Sequence, residues 1–78
     1  MDDGLAWVVS NAMQSDPSLE HDIAQEMSAR ALYLAEQQEE PDAAGVARVL
    51  MKDFGEYGAS TASVVARAAW EFVTGPQP

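Results

Sequence analysis

The fold turns on residues 16–38, DPSLEHDIAQEMSARALYLAEQQ. Leu19, Ile23, Met27, Ala31 and Leu34 recur there at intervals of three and four, the spacing that gathers side chains on one side of an α-helix. The two-residue alternation of a strand is absent. Asp16-Pro17 opens the segment with a capping carboxylate and then a proline, which suits a first helical position because that N–H has no partner to lose. We therefore read 17–38 as the longest helix, with those five residues as its buried stripe.

The same helix carries a second stripe. Asp22, Glu26, Ala29, Tyr33, Glu36 and Glu40 also step by three and four, so a helix that stays regular holds all six on one side, away from the apolar stripe. Arg30 stands one turn from Glu26 and is expected to pair with it, for about 0.2–0.5 kcal/mol. Leu32 falls on neither stripe.

On the N-terminal side, residues 3–14 read as a helix with Asp2 or Asp3 as N-cap. Leu5, Val8, Val9 and Ala12 form its inner stripe, and Trp7 falls opposite, beside Ser10 and Asn11. On the other side, the acidic run EQQEEPD (36–42) leads into a third helix from about Pro41-Asp42 to Asp53-Phe54. Ala43, Val46, Ala47, Leu50 and Phe54 are its inner face, with Gly45, Arg48 and Lys52 turned away. Gly55 and Gly58 bracket a turn, each suited to the positive φ that ends a helix. A fourth helix starts with Ser60 or Thr61 as cap, runs to about Val73 and stops at Gly75-Pro76. Val65, Ala69, Phe72 and Val73 face inward, while Ala62, Ala66 and Ala68 permit close helix approach. The expected fold is all-α: one domain over residues 1–78, a compact bundle of about four helices.

Composition agrees. Hydrophobic content of 47% with 22% charged residues belongs to a folded globule, and fourteen alanines against four prolines favour helix. No cysteine is present, so neither a disulfide nor a thiolate enters the chemistry. The opening Met1-Asp2-Asp3 is acidic where a secretory leader would be basic, and no apolar run reaches membrane-spanning length. A cytoplasmic protein is the expectation.

The net charge of −9 is unevenly distributed. Residues 1–42 hold ten acids against Arg30 alone; residues 43–78 hold three acids against Arg48, Lys52 and Arg67. Such a field repels nucleic acid and anionic lipid and attracts basic proteins. Direct nucleic-acid binding and membrane binding are disfavoured accordingly.

Motifs for chemistry are weak. The carboxylate pairs Asp22/Glu26 and Glu36/Glu40 lie on a solvated helix face, whereas acid–base catalysis needs a water-poor pocket that drives two pKa values apart. His21 without cysteine falls short of a zinc site, and the loop after Asp53 lacks the oxygen ligands of a calcium loop. GEYGAST has no lysine after its glycines, so it reads as a turn rather than a phosphate cradle. No catalytic residue, metal or cofactor is expected. Size and acidity suggest an acyl carrier protein, but the Asp-Ser-Leu attachment motif is missing.

What remains is surface. Asp22, Glu26, Tyr33, Glu36 and Glu40 are the candidate partner-binding residues, carboxylates spaced along a helix with a phenol among them. The plain alternative is a solvated face that keeps the protein soluble. Trp7 and Trp70 lie off the main stripes, and each serves either to cover a helix seam or to make an apolar contact in a homodimer or with a partner.

In size, acidity and lack of catalytic groups the whole chain resembles the small acidic inhibitors carried by phages and mobile elements, anti-CRISPR proteins among them. The resemblance implies a non-enzymatic inhibitor that mimics nucleic acid and occupies the basic surface of a partner protein. The alternative is a small helical dimerisation or regulatory module acting through Trp7, Trp70 and neighbouring apolar groups.

Overall fold

Alanine supplies much of the helix packing in this chain, and leucine, valine and methionine fill the space between. The computed structural model describes residues 3–75. All regular structure among them is helical: α1 (Asp3–Ser15), α2 (His21–Gln37), α3 (Ala43–Phe54), a 3-10 turn (Gly55–Tyr57) and α4 (Ala59–Thr74). The expected all-α bundle of four helices is the fold.

Both α2 and α4 touch each of the other helices, whereas α1 and α3 do not meet. A central α2–α4 pair is thus flanked by α1 on one side and α3 on the other. One core cluster draws Val8, Val9 and Ala12 from α1, Met27, Ala31 and Leu34 from α2, Val46 and Leu50 from α3, and Val65 and Ala69 from α4. Ala62, Ala66 and Ala69 on α4 are almost wholly buried, so small side chains let α4 approach its neighbours closely. The exposed area of 4570 Å² is close to the roughly 4600 Å² of a folded monomer of this mass. One chain closes the core.

Local chemistry moves several boundaries from where the sequence put them. The Asp16-Pro17 pair makes a turn instead of starting α2. Asp16 Oδ1 accepts hydrogen bonds from the Ser18 N–H (3.2 Å) and Ser18 Oγ–H (2.7 Å), and the Leu19 N–H donates to the Asp16 carbonyl at 3.0 Å. That local network competes with helix, so α2 begins four residues later, after an extended Glu20. Leu19 is buried all the same, from the turn. At the other end Asp42 caps α3 as expected, its Oδ1 accepting from the Gly45 N–H at 2.9 Å. Asp3 is the first helical residue of α1, and its alternative as cap, Asp2, lies outside the described residues, as does Pro76.

Of the two glycines after α3, only Gly58 takes positive φ, at 96°; Gly55 sits at −59° within the 3-10 turn. Gly58 also stands at the N-cap of α4, displacing Ser60 and Thr61, and Thr61 is buried. Gly45 is buried rather than turned away, because the Glu40 side chain lies over it. Leu32, on neither stripe by periodicity, is buried as well, so the inner face of α2 is wider than five residues. Ala24, Ser28 and Ala35 complete it.

The aromatic residues stay at the margins: among the described residues no Trp, Tyr or Phe is fully buried. Phe54, Tyr57 and Trp70 are half-buried against the core. Phe72, expected inside, is 44% exposed and meets Trp7 of α1, with ring centroids 6.2 Å apart. Gly4 makes room for this: a Cβ there would run into the Phe72 ring. The Trp7–Phe72 pair thus covers the α1–α4 seam from outside.

Candidate functional site

The outer face of α2 carries the sequence candidates. Asp22, Glu26, Ala29, Tyr33 and Glu36 are all exposed, on the side opposite Ala24, Ala31 and Ala35 in the core. From Asp22 to Glu36 the row spans about 21 Å of helix. Tyr33 stands within it at 48% exposure.

Glu40 does not join them. α2 ends at Gln37, and Gln38 adopts the left-handed conformation at φ 56°, its N–H donating to the Ala35 carbonyl at 3.2 Å. That turn takes the chain off the helix axis before residue 40. The half-buried Glu40 packs against Gly45 at the start of α3. The row therefore consists of Asp22, Glu26, Tyr33 and Glu36.

Arg30 also departs from expectation. It does not pair with Glu26; its Nε lies 3.7 Å from Oδ2 of Asp53 on α3. Its guanidinium carbon is 6.0 Å from the centre of the Tyr33 ring, a cation–π distance. Arg30 thus ties the end of α3 to the phenol on α2 and leaves Glu26 and Asp22 without a paired base among the described residues. The pair is solvated and adds little stability.

Two open hollows lie beside the row, in the groove between α1 and α2. One, of about 430 Å³, is lined by Leu5, Asp22, Gln25, Glu26 and Ala29. The other, of about 180 Å³, is lined by Leu5, Ala29, Leu32, Tyr33 and Glu36. They share Leu5 and Ala29, so they adjoin as one shallow, open groove in which Leu5, Ala29 and Leu32 lie among Asp22, Glu26 and Glu36. The sequence reading missed this. Leu5 is only half-buried, at the edge of the α1 stripe, and it lines the same hollows as Ala29 because α1 packs against α2.

A third hollow, of about 320 Å³, lies where the 16–20 turn meets Ile23 and Tyr57. The Tyr57 phenol is raised above its ordinary pKa of 10.0, by desolvation first and then by the negative charges of Glu56, Glu20 and Glu26. Of these acids Glu56 belongs to the 3-10 turn itself, Glu20 precedes α2, and Glu26 lies on α2. His21 is exposed at the first position of α2, and no grouping of acids with it suits a metal ion among the described residues. No helix there is long and apolar enough to cross a membrane.

Trp7 and Trp70 differ in setting. Trp7 is 43% exposed beside Phe72, and Trp70 is half-buried at the core margin. Comparison with protein families, with curated proteins and with solved structures finds no match for the chain.

Proposed function

We propose that this protein acts by binding, without chemistry of its own, and that the outer face of α2 docks onto the basic surface of a partner protein. The observation that carries the reading is the row Asp22, Glu26 and Glu36, exposed over about four helical turns with none of the three in an ion pair among the described residues, since Arg30 pairs with Asp53. Carboxylates along a rigid rod present negative charge at intervals, as a phosphate backbone does. A groove lined with lysine and arginine that holds nucleic acid is therefore the natural complement. An inhibitor of the anti-CRISPR kind, competing with nucleic acid for its partner, is the function this supports.

The experiment is capture of partners from the source cell on the immobilised protein, followed by elution with nucleic acid. A partner of the proposed class is released by short duplex or single-stranded nucleic acid and is not captured by the Asp22→Lys/Glu26→Lys/Glu36→Lys variant. A captured protein that nucleic acid fails to displace, and that the variant holds equally well, overturns the reading.

One observation favours a second reading. Trp7 and Phe72 form an exposed aromatic pair over the α1–α4 seam, the residue type that anchors apolar interfaces. A dimerisation or regulatory module would use that pair, or the half-buried Trp70 elsewhere on α4, and the acids would only solvate. Sedimentation separates the two: a dimer lost in Trp7→Ser/Phe72→Ser with helicity retained supports the module, and a monomeric parent removes the homodimer form of it.

A further inference from the structure

We infer that the groove between α1 and α2 receives a basic amphipathic helix, whose apolar side chain rests on Leu5, Ala29 and Leu32 while its lysine or arginine side chains meet Asp22, Glu26 and Glu36. This deepens the acidic-face reading and rests on it. Charge alone would be satisfied by any cationic surface. The groove asks for more, because Leu5, Ala29 and Leu32 lie among the acids in two hollows that share Leu5 and Ala29.

Shape and charge select the occupant. A trough between two packed helices is the form that accepts a third helix, read through anchors one turn apart. The rim carboxylates lie on the α2 side, so the incoming helix presents its bases toward α2 and its apolar side toward Leu5. Long basic side chains suit the rim, since their methylene stems extend the apolar contact while the charged ends stay in water beside the acids. Tyr33, exposed at the Glu36 end and already near Arg30, offers its ring face to one further cation. A second copy of this chain is a poor occupant: its four bases Arg30, Arg48, Lys52 and Arg67 all lie on helices that carry acids as well. An anionic lipid or nucleic-acid ligand meets the wrong charge.

Two synthetic peptides of equal length and charge test this on the full chain. One is an amphipathic helix former with leucines spaced three and four apart and lysine or arginine flanking them; in the other each leucine is serine. Amide shifts in NMR spectra report where each binds, and titration reports affinity. The leucine peptide is expected to bind at least about tenfold more tightly, to shift Leu5, Ala29 and Leu32, and to lose that advantage in Ala29→Gln. That substitution fills the groove at an exposed position and keeps a good helix former. If both peptides bind equally and Ala29→Gln changes neither, the groove proposal is wrong while the acidic-face reading stands. If neither peptide perturbs Asp22, Glu26 or Glu36 at low salt, the acidic-face reading fails with it. A concentration-dependent dimer abolished by Ala29→Gln would assign the groove to a second copy and overturn the proposal.

Discussion

Ser28 sits on the inner face of α2, fully buried, and its hydroxyl has no hydrogen-bond partner. A buried polar group left unpaired costs about 1–3 kcal/mol, and alanine is the better helix former. Ser28→Ala should therefore stabilise the protein by about 1 kcal/mol, a rise of roughly 4–8 °C in melting temperature for a domain of this size. An unchanged or lower melting temperature in calorimetry would mean that the hydroxyl is satisfied. Tyr57 gives a pH test. Its phenol is held above its ordinary value, by desolvation and by Glu56, Glu20 and Glu26. Above pH 10 the unfolded chain then releases this proton more readily than the folded one, so the stability it contributes is complete below about pH 10 and falls as pH rises further. Tyr57→Phe should flatten the alkaline limb of stability against pH. Equal alkaline limbs in parent and variant would show that the phenol is not perturbed by folding.

At the scale of elements, the large apolar spacing was legible and the local exceptions were not. Met27, Ala31 and Leu34, Val46 and Leu50, Val65 and Ala69 all lie in the core where periodicity put them. Periodicity works here because each helix buries one side against at least two others. It misplaced Phe72, since the step of three from Ala69 says nothing about Gly4, whose missing side chain lets the ring lie across α1. It carried the acidic stripe to Glu40 because nothing in EQQEEPD marks Gln38 for the left-handed conformation, which usually falls to glycine. The Arg30–Asp53 pair joins helices far apart in sequence, so local spacing favoured Glu26 instead. Depth of burial ranks the consequences. Leu50→Ala, at a fully buried position, should cost about 2–5 kcal/mol, and Phe72→Ala, at an exposed one, should cost about 1 kcal/mol or less. Denaturant melts of the two variants check this, and equal losses would contradict the assigned margin for Phe72.

Over the whole molecule, charge is segregated rather than balanced, and the acids of the proposed binding row are on a face that the core does not need. The bundle closes on α2 and α4 with alanine-rich packing, measures 31 × 25 × 19 Å, and leaves one side of α2 free to carry Asp22, Glu26 and Glu36. Self-repulsion along that row is a cost to folding at low salt, offset if the face meets a cationic surface. Each exposed acid alone would be worth about 1 kcal/mol or less to the proposed binding, so the row must be altered together to be judged. The measurement is the dissociation constant for the captured basic partner from about 50 to about 300 mM salt, for the parent and for Asp22→Lys/Glu26→Lys/Glu36→Lys. Screening shortens to less than about 10 Å above about 0.1 M, so contact between opposite charges should weaken steeply across that range. We expect the parent to lose affinity progressively with salt, and the variant, with unchanged helicity and melting temperature, to show no measurable binding at any salt. An affinity indifferent to salt, or a well-folded variant that binds as tightly as the parent, would contradict it.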